Sequence, residues 1–244
     1  ATALLPAYVR CDGAKDLAGC RHDVLVSDGP AGEVAVFFSE ADRSLRGPQR
    51  FPVDPSPAAL LFSDLDGDGA GELVTANRGA APLTVLSQRG VATFSGCSDG
   101  RAQPLWRRPS AVAALALDDA TSRVLVVADE DDASLRLLRV ASRIPFALDC
   151  GEATRLPVAA DPLALATADF DGDGHDDLLV AHGTPAGLSL LLWAAGGLQA
   201  ARFYPVGAAI RGLALGDLDR DGRPDIVLAS SGEASLRILH SAFR

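Results

Sequence analysis

The chain has no methionine, Lys15 is its only lysine, and aromatic residues make up 5% of its 244 positions. So few aromatics exclude a broad platform on which bases could stack. Basic residues are also in the minority: 22 Lys and Arg stand against 32 Asp and Glu, for a net charge of −10. Phosphate contacts need clustered Lys and Arg, so nucleic acid and anionic membrane surfaces are poor partners for this chain. Two signatures of catalysis are missing as well: there is no H-E-x-x-H and no G-x-x-x-x-G-K-[ST]. No charged stretch followed by an apolar one opens the chain at Ala1, which reads as a form without a signal peptide. The absence of methionine suggests that a starting segment has been removed. No amphipathic helical stripe runs through the sequence. From Leu178 to Ala201 there is no charged residue, yet His182, Gly183, Thr184, Pro185 and Gly187 break the run. Two short strands and a turn fit it better than a membrane span.

What the chain does have is an apolar fraction of 48% and a charged fraction of 22%, the balance of a globular protein. It also repeats. Asp64-Leu-Asp-Gly-Asp-Gly-Ala-Gly-Glu72, Asp169-Phe-Asp-Gly-Asp-Gly-His-Asp-Asp177 and Asp217-Leu-Asp-Arg-Asp-Gly-Arg-Pro-Asp225 align without gaps. Short apolar runs flank each. The step from the first loop to the second is about twice that from the second to the third. A degenerate unit fills the gap at Asp118–Arg123, and another opens the chain around Cys11–Asp23. Five units at about 50-residue spacing result, and that period belongs to propellers and arrays.

Within a unit the apolar runs are short and bounded by Gly, Pro, Asp and Ser, a strand signal. In the fourth unit the expected strands are 162–168, 178–182, 187–193 and 199–206. In the fifth they are 212–216, 226–230 and 235–241, with no fourth strand. The fold class is therefore all-β, a β-propeller of about five four-stranded blades, the last lacking its fourth strand. A single domain over 1–244 is expected, with blades at approximately 1–54, 55–109, 110–159, 160–207 and 208–244. The first strand of each should be innermost.

The loops read D-x-D-x-D-G-x-x-[DE]. Carboxylates at positions 1, 3 and 5 converge when the backbone curls, and glycine at position 6 permits the curl. A carbonyl at position 7 and a carboxylate at position 9 complete an oxygen shell suited to a hard cation. Without one, four carboxylates in nine residues repel one another. The expected ligands are Asp64, Asp66, Asp68 and Glu72; Asp169, Asp171, Asp173 and Asp177; and Asp217, Asp219, Asp221 and Asp225. Ala70, His175 and Arg223 would contribute through backbone carbonyls. About three Ca²⁺ ions are expected. An EF-hand is excluded, because its position 12 needs Glu and here holds Thr75, Val180 and Leu228.

These loops, alternating with short strands, resemble the FG-GAP/VCBS repeats of integrin-α-like β-propellers. Arg220 departs from the usual Gly and Glu72 from the usual Asp. The resemblance implies that each loop joins the first two strands of a blade and holds Ca²⁺. It also implies an extracellular, cell-surface or periplasmic setting, with roles in adhesion, carbohydrate binding or as accessory domains of enzymes. The best-known members have seven blades.

Four cysteines, none in a C-x-x-C pattern, fit an oxidising compartment. Cys11 and Cys20 bracket the turn that lacks a cation motif and are expected to be bonded. Whether Cys97 and Cys150 pair stays open. His182 begins a Gly- and Pro-containing loop and is the one histidine to test, although without visible partners it reads as structural; His22 and His175 read as turn residues and His240 as a packed or rim residue. Asp129-Glu130-Asp131-Asp132 is either a solvated turn or a further cation or basic-partner site. Trp106 and Trp193 could stack on a sugar, although Trp193 reads as core. The reading is thus an extracellular, Ca²⁺-stabilised binding or adhesion module. Its protein or carbohydrate ligand would sit on the face opposite the cation loops, as part of a larger chain or assembly. A scaffold in a secreted polysaccharide-active enzyme, or a structural domain of a larger surface assembly, is the alternative.

Overall fold

The computed structural model describes residues 3–7, 22–79, 81–87, 90–94, 107–116, 123–143, 146–149, 153–194, 196–231 and 236–240, and every regular element among them is a β-strand. Blade 1 comprises β1 (Leu4–Ala7), β2 (Asp23–Asp28), β3 (Glu33–Ser39) and β4 (Leu45–Pro52). Blade 2 comprises β5 (Pro57–Ser63), β6 (Glu72–Asn77), β7 (Leu83–Ser87) and β8 (Gly90–Phe94). In blade 3, β9 (Pro109–Ala116), β10 (Arg123–Asp129) and β11 (Ser134–Arg143) are followed by an outer strand in two pieces, β12 (Phe146–Leu148) and β13 (Thr154–Pro157). Blade 4 contains β14 (Pro162–Ala168), β15 (Asp177–His182), β16 (Gly187–Leu191) and β19 (Arg202–Pro205). A side hairpin, β17 (Trp193–Ala194) with β18 (Gly197–Leu198), is inserted before β19. Blade 5 has three strands among the described residues: β20 (Ile210–Gly216), β21 (Asp225–Ser230) and β22 (Leu236–Leu239). Every pairing is antiparallel, and the five blades form a β-propeller.

Period-2 chemistry explains the stacking. A strand's side chains alternate between its two faces. In β10, Val124 and Val126 pack towards blade 4 while Leu125 and Val127 pack towards blade 2. In β15, Leu178 and Val180 face blade 3, and Leu179 and Ala181 face blade 5. Both faces are covered, so these second strands read as unbroken apolar runs. Four separate cores result, one between each successive pair of blades. Each buried Leu, Ile or Val contributes about 1.5–3 kcal/mol relative to exposure. The end blades bury one face only: Val24 and Val26 of β2, and Val227 and Ala229 of β21, are half-buried.

The first strands line the centre. β5 packs against β1 and β9, and β14 against β9 and β20. The Ser110 hydroxyl donates to the Pro162 carbonyl at 2.5 Å, and the Thr167 hydroxyl to that of Ala114 at 3.2 Å. Both bonds cross from blade 3 to blade 4. The expected all-β propeller, its inner first strands and the short fifth blade all stand. Cys11, Cys20, Cys97, Cys150, Trp106 and the Asp118 turn lie outside the described residues.

Candidate metal centre

Each acidic loop joins the first and second strands of its blade, between β5 and β6, β14 and β15, and β20 and β21. The same hydrogen bonds shape all three. In the first, Asp64 accepts the N–H groups of Gly67 at 2.7 Å, Asp68 at 3.2 Å and Gly69 at 3.0 Å. In the second, Asp169 accepts those of Gly172 at 2.6 Å, Asp173 at 3.2 Å and Gly174 at 2.9 Å. Asp217 accepts those of Asp221 and Gly222, both at 3.1 Å. The residue at position 4 has a positive φ throughout: 70° at Gly67, 81° at Gly172 and 65° at Arg220. Arg220 therefore keeps the loop shape at the steric cost that Gly avoids.

Position 3 caps position 5, as in Asp66 accepting from Asp68 at 3.1 Å, Asp171 from Asp173 at 3.2 Å and Asp219 from Asp221 at 3.2 Å. Position 5 caps position 7: Asp68 accepts from Ala70 at 2.8 Å, Asp173 from His175 at 2.9 Å and Asp221 from Arg223 at 2.9 Å. Position 9 reaches back to position 2. Glu72 accepts the Leu65 N–H, Asp177 that of Phe170 and Asp225 that of Leu218, each at 2.9 Å. The ninth acid thus closes the loop on itself besides facing its interior, a role that the motif spacing did not reveal.

One carboxylate oxygen from each of Asp64, Asp66 and Glu72 lies within 4.8 Å of the others. The same holds for Asp169, Asp171 and Asp177, and for Asp217, Asp219 and Asp221. Oxygens bound to one Ca²⁺ at about 2.3–2.6 Å are at most about 5 Å apart, so these sets have the right spread and the right hard-donor chemistry. The third loop has a further group, with Asp225 and Asp219 facing His240 Nδ1 at 3.1 and 3.5 Å. Electrostatics point the same way. Burial pushes the Glu72 carboxyl up to about 7, and the charges of Asp66, Asp64 and Asp68 add to the shift against the Leu65 N–H. Burial also raises Asp177, opposed by the N–H groups of Trp193 and Phe170 and reinforced by Asp171 and Asp173. The negative charge in these loops exceeds what their backbone donors neutralise, and a divalent cation fits that excess.

The opposite end of the blades is built differently. The last residue of the second strand is polar and buried in three blades: Asn77, Asp129 and His182. Asn77 Nδ2 donates to the Ala81 carbonyl and to Thr84 Oγ1, both at 3.0 Å. His182 Nε2 meets Ser189 Oγ at 2.8 Å and Nδ1 meets the Ala160 carbonyl at 3.0 Å. Thr84 and Ser189 hold the same place in their strands, so His182 is a structural tie with both ring nitrogens engaged. Burial lowers its pKa. Asp129-Glu130-Asp131-Asp132 is neither a solvated turn nor a cation loop. Asp129 accepts the Arg107 N–H at 2.7 Å, and Glu130 pairs with Arg78 and, at 2.9 Å, with Arg108. Asp132 pairs with Arg136 at 3.0 Å and Arg155 at 2.9 Å; the hydrogen bond from Arg155 holds its carboxyl down at about 2. Sequence proximity could show only the Arg136 pair of this network, because its other arginines, Arg78, Arg107 and Arg108, and Arg155, come from three other segments. Trp193 is core, packed between blades 3 and 4.

The family model described as FG-GAP-like repeat matches residues 169–228, which span the second and third loops. No curated protein matches the sequence. Among solved structures, that of BBS1N in complex with ARL6DN is similar at a TM-score of 0.62 and 12% identity, over 99% of this chain and 66% of that one. The dihydro-heme d1 dehydrogenase NirN in complex with DHE is similar at a TM-score of 0.52 and 17% identity, over 88% of this chain and 41% of that one. The chain thus spans about two thirds of the first structure and less than half of the second. At such identities the likeness concerns the fold. The chain is thus a five-bladed β-propeller, and its residues 169–228 match the FG-GAP-like repeat.

Proposed function

We propose that the protein is an extracellular, Ca²⁺-stabilised binding or adhesion module. β-Propellers with FG-GAP repeats generally serve protein interaction, and the structurally similar BBS1N is held in a complex with ARL6DN. The observation that carries the calcium reading is the threefold recurrence of one loop geometry. Three separate segments each gather three carboxylates within 4.8 Å of one another, and in the first two a buried acid, Glu72 or Asp177, stands among them. Residues at positions 1, 3 and 9 of the first two loops, and at 1, 3 and 5 of the third, are the side chains already gathered to hold an ion. Because each loop ties the two inner strands of its blade, bound Ca²⁺ acts on folding stability rather than on chemistry. The ligand surface is the opposite face, where the second-to-third-strand loops are fixed by Asn77, Asp129 and His182. Loops carried on a rigid scaffold are where binding residues concentrate.

Calorimetric titration of metal-free protein tests this reading. About three sites for Ca²⁺ are expected, with a melting temperature that falls in chelator. At a free concentration of 100 times the dissociation constant each independent site adds about 2.7 kcal/mol. An unchanged melting curve in chelator, with no calcium found by elemental analysis of protein purified in its presence, overturns the calcium reading.

A further inference from the structure

Two departures from the blade repeat meet at one place. The outer strand of blade 3 is broken: β12 pairs with β11 from Val140 onward, β13 pairs with it only as far as Leu137, and the break falls opposite Leu138 and Arg139. Blade 4, alone among the described residues, inserts a side hairpin, β17 with β18, between its third and fourth strands. Gln199 braces that hairpin, its Nε2 donating to the Ala194 carbonyl at 2.8 Å and to that of Gly197 at 3.1 Å. Between the break and the hairpin lies a pocket of about 280 Å³.

Strand register explains its walls. Residues directly opposite on neighbouring strands share a face, and so do alternate residues of one strand. Val124 is opposite Arg139, Leu137 opposite Thr154 and Leu135 opposite Leu156. Val124 and Leu135 pack in the core between blades 3 and 4, so this whole row, Arg139 and Thr154 included, lies on the face turned to blade 4. Trp193, Leu198 and the backbone of Gly196 and Gly197 close the other side. The walls are aliphatic and aromatic, with one hydroxyl and one cation among them.

The cation is the exception in that row. Five residues after the start of the third strand, blade 1 has Phe38 and blade 4 has Leu192, and both pack on the core shared with the next blade. Blade 3 has Arg139 there, at the break in its outer strand. Arg139 is exposed, which puts it at the mouth of the pocket, and no described side chain hydrogen-bonds or ion-pairs with its guanidinium. In a chain with 32 acids to 22 bases, an arginine without an acid beside an apolar pocket is a ready contact for an anionic group from outside the chain.

We infer that this pocket binds a small amphipathic carboxylate. Its volume, near the lower end for ligand sites, holds about nine or ten non-hydrogen atoms at the volume of a water each. The apolar body of the ligand lies against Leu137, Leu156, Trp193 and Leu198. Its carboxylate accepts from the Arg139 guanidinium, and the Thr154 hydroxyl is the second donor on that side. A free sugar is disfavoured, since most of its hydroxyls would face aliphatic walls without partners. No lining residue is an acidic-loop carboxylate, so the site stands apart from the calcium reading.

The probe is phenylacetate, with phenylacetamide as its neutral isostere and 2-phenylethylammonium as its cationic one. Trp106 and Trp193 are the only tryptophans, so emission of Trp106→Phe reports on Trp193. Titration calorimetry repeats the measurement on the unaltered chain. Saturable binding of phenylacetate is expected, with the amide weaker by about three- to tenfold. A net charge of −10 favours the cation at long range, so a preference for the acid reads Arg139 itself. Arg139→Leu, which installs the residue type of Leu192, should bind acid and amide alike. At Gly197 a Cβ would meet nothing within 4 Å, so Gly197→Leu should fold, fill the pocket and weaken binding of the acid and the amide. Both variants are checked for an unchanged melting temperature. No saturation up to about 5 mM phenylacetate, or equal affinity for acid and amide in the parent chain, overturns the proposal. So does an acid preference that survives Arg139→Leu, or undiminished binding to Gly197→Leu.

Discussion

The Asp177 carboxylate accepts the backbone N–H of Trp193 at 2.7 Å with one oxygen and that of Phe170 at 2.9 Å with the other. One buried side chain thus pins the start of β15 to the acidic loop before it and to Trp193, two residues past the end of β16. Asp23 makes the corresponding tie in blade 1, accepting the Ser39 N–H at 2.9 Å, although blade 1 has no intact acidic motif before β2. The ninth position is therefore a blade-building residue first, and it persists where the rest of the motif does not.

Asp177→Ala leaves two buried N–H groups without an acceptor, each worth about 1–3 kcal/mol. A loss of roughly 2–5 kcal/mol is expected in urea unfolding of metal-free protein. Asp177→Asn keeps one good acceptor and removes the buried charge, so its loss is smaller. Equal losses in the two variants would show that charge rather than backbone tying governs the position.

A second relationship tests the packing beside the first loop. A Cβ at Gly71 would lie 2.4 Å from Phe62 Cζ, whereas the same loop position holds Asp176 and Pro224 in blades 4 and 5. Phe62 takes the space that a side chain takes elsewhere. Gly71→Ala is expected to destabilise by about 1–3 kcal/mol, as overpacking does. Phe62→Leu should recover most of that loss in the double variant. A double-mutant cycle in denaturant measures the coupling, and additive losses would refute it.

The propeller was legible because its second strands are short, wholly apolar runs set between Gly and Asp clusters, at a period no helix bundle produces. The acidic loops were legible because three copies align. Other features depend on partners far away in the chain. Leu191-Leu192-Trp193 reads as one continuous strand, yet β16 ends at Leu191 and Trp193 begins a side hairpin after donating to Asp177. The role of Asp129–Asp132 is fixed by Arg78 and Arg155, which no local pattern connects to it. His182 reads as structural in the sequence, but its partner Ser189, on the neighbouring strand, could not be read there.

Individual loops should be separable. Asp171→Ala removes a carboxylate from the middle set and the acceptor for the Asp173 N–H. It is expected to abolish or weaken Ca²⁺ binding at one of about three sites, leaving the others unchanged. Asp219→Ala should do the same for the third loop, and it leaves His240 facing Asp225 alone of the two carboxylates. Titration calorimetry of each variant counts the remaining sites. Loss of all binding in either single variant would mean that the loops act as one cooperative unit.

The last prediction concerns pH. Glu72 ionises near pH 4.5 when free and near 7 in the folded, metal-free protein, chiefly because it is buried. The folded state therefore holds a proton more tightly than the unfolded state does. Below the free value both states are protonated and the group costs nothing. Above the folded value it is a buried charge, destabilising by an amount on the order of 3 kcal/mol. Between these limits the stability of metal-free protein should rise as the pH falls, until acid breaks other pairs such as Asp132–Arg155, whose carboxyl titrates near 2. Glu72→Gln removes the Glu72 part of that slope. Saturating Ca²⁺ abolishes that slope: the ion holds Glu72 ionised in the folded state, and the unfolded group is already ionised above its free value of about 4.5, so the Glu72 part of the stability falls only as the pH drops through that value. Melting curves from pH 5 to 8 for the two proteins, in chelator and in Ca²⁺, give four slopes. Only the parent protein should lose its Glu72 slope between chelator and Ca²⁺. A parent slope unaffected by Ca²⁺ would remove Glu72 from the ion's ligands and leave it as a structural acid.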